Sequence, residues 1–232
     1  MIILKVTQEN QMGNKIRRIK KKNIREPVFD YSRAGIIINN KPHFIISVPQ
    51  TTIEDFEFQK MLNKYKGSII VPEILEEEPM LNNLLFDKSS FLKKAIFENF
   101  RIMIFNGDYY NANVLIKDKN FVLKNMIPNI LPYVKSVSIF LSEDPAIRLW
   151  QENCFNEYGV KPRIYHSAIE NYTNFDVIAD FEKIKNNTLE IISYNNTQKI
   201  YPNFKYLEIP DKLKVLEDMG ISRCMICAAF KE

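Results

Sequence analysis

Between residues 112 and 181, short apolar runs alternate with stretches long enough to be helices. The order reads strand, helix, strand, helix, strand, strand. The runs are Val114-Leu115-Ile116, Val137-Ser138-Ile139-Phe140-Leu141, Arg163-Ile164-Tyr165 and Asp176-Val177-Ile178-Ala179-Asp180. Short apolar runs rich in β-branched residues suit strands covered on both faces. Strands that alternate with helices are joined by crossovers and therefore run parallel. The expected fold class is α/β, with a mostly parallel sheet in the C-terminal half.

The N-terminal half reads as a smaller α/β region. Ile2 to Thr7 has the pattern of a strand, and Gln11-Met12-Gly13-Asn14 carries a turn signal. Ile36-Ile37-Ile38 and Phe44-Ile45-Ile46-Ser47-Val48 flank Asn39-Asn40-Lys41-Pro42, which is turn chemistry, so a β-hairpin is expected over 36–48. Thr51 and Thr52 are candidate caps for a helix running to Lys66 and closed by Gly67. Ser68 to Val71 reads as a short strand. A second helical region is expected from Glu76, broken near Asp87-Lys88-Ser89-Ser90, and Phe100 to Phe105 reads as a strand. Asn106-Gly107-Asp108 is the expected boundary, giving domains 1–108 and 109–232. Beyond it, 119–133 reads as helix interrupted by Pro128 and Pro132. Asp144-Pro145 is a helix start, with Ile147, Trp150, Cys154 and Tyr158 on one face and Gly159 as C-cap. Leu189 to Tyr194 and Tyr206 to Ile209 read as later strands, and 211–219 and 223–230 as helices.

Charge is distributed unevenly. The 232 residues carry a net charge of +4, yet residues 1–25 hold eight Lys/Arg against Glu9 alone. Lys15 to Arg25 contains seven basic residues in eleven. Such density rewards contact with phosphates, so nucleic acid or an acidic partner protein is a candidate partner for this arm. The run has no interleaved aromatic for base stacking, and a solvated arm is the simpler expectation. No apolar run approaches a membrane span. The first residues lack a basic n-region and a long apolar h-region, so no secretory signal is expected. Three cysteines do not make a disulfide framework. A cytoplasmic protein is the expectation.

Residues 113–180 resemble the NAD(P)-binding, Rossmann-like domain of the shikimate-dehydrogenase-like oxidoreductases. The resemblance rests on Asn113-Val114-Leu115-Ile116, Val137 to Pro145, Tyr158-Gly159-Val160 and Phe175-Asp176-Val177-Ile178-Ala179. It implies a phosphate-binding turn after the first strand, a ribose-reading residue after the second, and a nicotinamide site beside the fourth. By position these are Lys117, Asp118, Lys119 and Asn120, then Glu143, then Asp180. Yet residues 117–122 contain no glycine, and the glycines of that fingerprint let the backbone approach pyrophosphate. Asp118 also puts negative charge where phosphate would sit. A degenerate domain without ordinary dinucleotide binding is therefore expected, with no catalytic residue assigned.

Cys224-Met225-Ile226-Cys227 has redox spacing, but one pair cannot complete a four-ligand zinc site. Buried structural cysteines are the expectation, and no metal site is assigned. A metal shared across a homodimer is the alternative. His43 and His166 are the only residues with a natural pKa near neutrality. His166 could join Asp118, Asn120, Glu143 and Asp180 at the carboxyl end of the sheet. Three functional readings stay open: a binding or interaction module for an unidentified small molecule or protein, a nucleotide-cofactor enzyme gripping phosphate with Lys117, Lys119 and Asn120, and a nucleic-acid binder acting through residues 15–25.

Overall fold

The computed structural model describes residues 1–7, 32–49, 53–81, 83–167, 172–193, 196–203 and 205–230. Among them the α-helices are α1 (Phe56–Leu62), α2 (Ser89–Phe105), α3 (Ile147–Tyr158), α4 (Lys214–Asp218) and α5 (Arg223–Phe230). The strands are β1 (Ile2–Thr7), β2 (Ser32–Ile38), β3 (Lys41–Pro49), β4 (Ile69–Ile70) and β5 (Asn113–Lys117). They continue with β6 (Ser136–Phe140), β7 (Arg163–Tyr165), β8 (Val177–Asp180), β9 (Leu189–Ser193) and β10 (Asn196–Ile200). The fold is α/β.

The chain forms two compact units, Met1–Lys88 with Glu208–Glu232, and Ser89–Leu207. These bounds differ from a single division near residue 108. The segment Phe100 to Phe105 is not a strand but the last turns of α2. Its alternation is real, but Leu92, Ile96, Phe100 and Ile104 are buried at four-residue intervals, and that period sets the local structure.

In the first unit a four-stranded sheet has the order β2-β3-β1-β4. The β2–β3 hairpin forms as the sequence suggests, turning at Asn39 (φ 49°) and Asn40 (φ 59°). Two successive left-handed residues make the tight turn that matches strand twist, and asparagine tolerates that conformation. Strand β1 lies between β3 and β4, parallel to both. One face of the sheet packs Ile2, Leu4, Ile46 and Val48 against Phe58 and Leu62 of α1. Helix α1 is capped by Asp55, whose carboxylate accepts the Glu57 and Phe58 N–H groups at 2.8 and 3.1 Å. Thr51 and Thr52, read as caps, lie outside the described residues. Glu76 begins no helix; a 3-10 turn spans Glu73–Leu75 instead.

In the second unit a six-stranded sheet has the order β10-β9-β8-β5-β6-β7. Strands β7, β6, β5 and β8 are parallel, and β9 and β10 add an antiparallel edge. Val114, Leu115 and Ile116 of the central β5 are fully buried, which explains their unbroken apolar run. From β5 the chain winds outward through β6 and β7, then returns to the other side of β5 as β8. That reversal leaves a crevice at the carboxyl ends of β5 and β8, the place where open α/β sheets take ligands. Beyond it, β9 alternates buried Leu189 and Ile191 with exposed Glu190 and Ile192. The segment Tyr206 to Ile209 is not a strand. The edge partner is the polar β10, which carries little apolar signal.

Candidate functional site

At the end of β5 the turn closes without glycine. The Asp118 side chain is 0% exposed and points inward. Its carboxylate accepts the Leu123 N–H at 2.8 Å and lies 3.1 Å from the Lys93 ammonium. Phe121 takes a left-handed φ of 52°. Its ring is held edge-on to Trp150 of α3, 4.9 Å between centroids. No α-helix follows. The chain passes through turns into a 3-10 segment, Ile127–Tyr133, with Pro128 near its start and Pro132 within it. The helix expected over 119–133 is therefore not formed, since the two prolines leave only a 3-10 segment, and no α-helix N-terminus faces the crevice from this connection.

Glu182, just past β8, completes the arrangement. Its Oε1 accepts from Lys93 Nζ at 2.7 Å and from the Lys119 N–H at 2.9 Å. Two backbone donors of the turn, Lys119 and Leu123, are therefore satisfied by carboxylates of the same chain. Lys93 stands between the two acids. Burial lowers its pKa, but the Glu182 and Asp118 carboxylates outweigh that, so the ammonium is held more firmly than an ordinary lysine's. Burial likewise raises the Glu182 carboxyl, and the Lys93 ammonium and Lys119 N–H reverse it, leaving its pKa below the usual carboxylate range. A lysine so committed to its proton is a poor base or nucleophile.

Lys117 and Asp180 are register partners at the ends of β5 and β8, with Lys117 Nζ 3.4 Å from Asp180 Oδ2. Lys117 also donates to the Tyr172 hydroxyl at 3.0 Å. Burial opposes its charge, but Tyr172 and Asp180 prevail, and its pKa is raised. The Asp180 carboxylate also lies 3.8 Å from Lys183 and accepts the Glu182 N–H at 3.3 Å.

The sequence-derived candidates therefore separate. Lys117 and Asp180 meet, Asp118 is buried against Lys93, and Lys119 contributes its backbone. Asn120 and Glu143 stand exposed. Asp144 is not the N-cap of α3, which begins at Ile147; its carboxylate instead accepts the Ala146 N–H at 2.8 Å. His166 is exposed, with Nδ1 3.3 Å from the Leu141 carbonyl oxygen. Lys93 and Glu182 were not read from sequence. The signal for Lys93 was present: a lysine on the apolar stripe of α2 needs a buried partner.

Beside the Lys117–Asp180 pair lies an open groove of about 560 Å³. Lys117, Tyr172, Asp180, Lys183, Lys185, Thr188 and Glu190 line its end at the carboxyl edge of β8. Ile178, Ile192 and Thr197 line the remainder, on one face of the β8–β9–β10 ribbon.

In the first unit Cys224 and Cys227 are buried on α5, and Cys154 is buried in the second. Burial pushes the Cys224 thiol up to about 11. No group of three or more His, Cys, Asp or Glu is placed to hold a metal among the described residues. His43 is 7% exposed, packs edge-on to Phe230 at 5.2 Å, and leaves Nδ1 without a partner among the described residues. The basic run Lys15 to Arg25 lies outside the described residues. Comparison with protein-family models, curated proteins and solved structures finds nothing that matches this chain.

Proposed function

We propose that residues 89–207 form a degenerate Rossmann-like module that binds a ligand or partner without ordinary dinucleotide binding. One observation carries the reading. The N–H groups of Lys119 and Leu123 are bonded to Glu182 and Asp118, carboxylates of the chain itself. A dinucleotide pyrophosphate needs free backbone donors at this turn and a helix N-terminus behind them. Here it would meet two acids whose countercharge, Lys93, is already engaged. The strand order β7-β6-β5-β8 supports the fold-level part of the reading. Lys117, the strongest phosphate-gripping candidate of the enzyme alternative, is bonded to Tyr172 and Asp180. The open groove at the same edge of the sheet is the place left for a ligand.

Isothermal titration of the full chain with NAD and NADP tests this. The reading expects no saturable binding up to about 1 mM, a concentration corresponding to about 4 kcal/mol of binding free energy. Stoichiometric binding of NAD or NADP tighter than that overturns it.

A further inference from the structure

The groove beside β8 has two chemically different ends. At the carboxyl end of β8 stand three ammonium groups, Lys117, Lys183 and Lys185, with the Thr188 and Tyr172 hydroxyls. Asp180 is there as well, but it already lies near both Lys117 and Lys183. Glu190 is the second acid lining this end and lies 3.9 Å from Lys199, leaving three ammonium groups against two carboxylates in the lining. Lys185 has no carboxylate within ion-pair distance among the described residues, so the surplus charge of this end is positive. Its position is fixed by a tight turn. Lys185 and Thr188 exchange backbone hydrogen bonds at 2.9 and 2.8 Å around Asn186 and Asn187, both left-handed at φ 48° and 55°. The Thr188 hydroxyl adds a 2.8 Å bond to the Lys185 carbonyl. Two-residue turns of this type hold their flanking residues in register, so Lys185 and Thr188 form a fixed rim.

The other end is apolar. Ile178 and Ile192 are register partners on β8 and β9, and Thr197 is paired with Ile192 on β10. Ile192 is 57% exposed, a large area for an isoleucine in the middle of a strand. Ligand pockets typically occupy about 300–1,000 Å³, combine apolar walls with a few convergent polar groups, and lie at the reversal point of such sheets.

We infer that this groove binds a small organic anion, its apolar body on Ile178 and Ile192 and its acid head between the Lys185 and Lys183 ammonium groups. The inference rests on the reading of this module as one that binds a ligand other than a dinucleotide. Carboxylate and phosphate heads share the required chemistry. Lysines are point-charge donors that do not select the planar carboxylate as a guanidinium fork would.

The experiment is titration of the full chain with benzoate and phenyl phosphate, followed by the isoleucine methyl signals in NMR. Inorganic phosphate and benzyl alcohol serve as head and body alone, and NAD is titrated in parallel. Either or both aromatic anions should saturate one site, shift the Ile178 and Ile192 methyls, and bind more tightly than phosphate or benzyl alcohol. Whichever head binds more tightly identifies the source. Lys185→Glu should weaken binding at least about tenfold, the change expected when one charge-assisted hydrogen bond is lost and a repulsion gained. Raising the salt should weaken it further, because the rim is exposed. Ile192→Asn, on the exposed face and without added charge, should weaken binding of the aromatic anions much more than that of inorganic phosphate. If neither anion saturates, or if affinity survives both substitutions, the groove assignment falls while the non-dinucleotide reading stands. Stoichiometric NAD binding overturns that underlying reading instead.

Discussion

Replacing Lys93 by methionine would leave Asp118 as an isolated buried carboxylate. The methionine fills most of the lysine stem's volume, so the loss is mainly electrostatic. Asp118 would keep one hydrogen bond, from the Leu123 N–H at 2.8 Å, and lose its only ion pair among the described residues. The side chains of Lys93 and Asp118 are 9% and 0% exposed, so solvent screens this pair little. Breaking such a buried pair costs about 3–5 kcal/mol. Glu182 adds little, because its side chain is 30% exposed and water can replace the lost partner. Trp150, the sole tryptophan, packs on Phe121 three residues after Asp118, so its fluorescence reports this site. In urea, with a slope of about 2 kcal/mol/M, the Trp150 transition should move down by about 2 M. Adding Asp118→Asn to Lys93→Met should recover part of the loss by removing the buried charge. A loss under about 1 kcal/mol in Lys93→Met would refute the view that this pair organises the turn.

The same cluster sets a pH window for the second unit. The Glu182 pKa is depressed in the folded chain, so its contribution is complete above the unfolded carboxyl value of about 4.3 and lost as pH falls through the folded value. The Lys93 pKa is raised, so its contribution is complete below about 10.4 and lost as pH rises through the folded value. Urea midpoints read by Trp150 should therefore form a plateau that falls at both extremes; a midpoint still rising from pH 5 down to pH 3 would contradict this. In the first unit, burial lowers the His43 pKa, aided by the N-terminal ammonium and Lys41 against the Ile38 carbonyl. The unfolded chain then protonates first, so this contribution is complete above about 6.5 and is lost as pH falls. Thermal unfolding followed by circular dichroism should show a smaller drop between pH 7.5 and pH 5 in His43→Phe than in the unaltered chain; equal drops would exclude His43 as the source. Cys224 and Cys227 should react with a thiol reagent at pH 8 only after urea is added, because both are buried and the Cys224 thiol titrates near 11. Reaction within minutes in the folded protein would show an accessible, activated pair instead.

Elements whose local and tertiary requirements agree were legible in the sequence. Strands β5 and β6 announce themselves as apolar runs because each is covered on both faces, whereas β8 buries Val177 and Ala179 and turns Ile178 and Asp180 to the groove. The Asn39-Asn40 turn does so because few residues accept two left-handed positions in succession. Strand β10 carries no such signal: Asn196 to Lys199 are exposed on an edge, and only pairing with β9 makes them a strand. The end of α2 misleads because Arg101 and Met103 fall between Phe100, Ile102 and Ile104, so a helical stripe also satisfies a period of two.

The candidate site divides in the same way. The turn after β5 contains no glycine, and Lys117 and Asp180 lie at the reversal of strand order as topology requires. Asp118 was read as a charge facing the crevice, whereas its carboxylate turns inward. A residue at a strand end can face either way, and the deciding partner, Lys93, lies on an earlier helix. The groove was not legible, because its walls come from β8, β9, β10 and an asparagine turn whose pairing is set by tertiary contacts.

The most direct test of the account is the response of two backbone amides. In the proposed Rossmann-like reading the N–H groups of Lys119 and Leu123 stand where a pyrophosphate would be bound, and here they are bonded to Glu182 and Asp118. In proton–nitrogen NMR spectra of the full chain titrated with NADP and with inorganic pyrophosphate, both signals should stay in place. A saturable shift of these two amides would show that phosphate displaces the carboxylates, and would contradict the central claim.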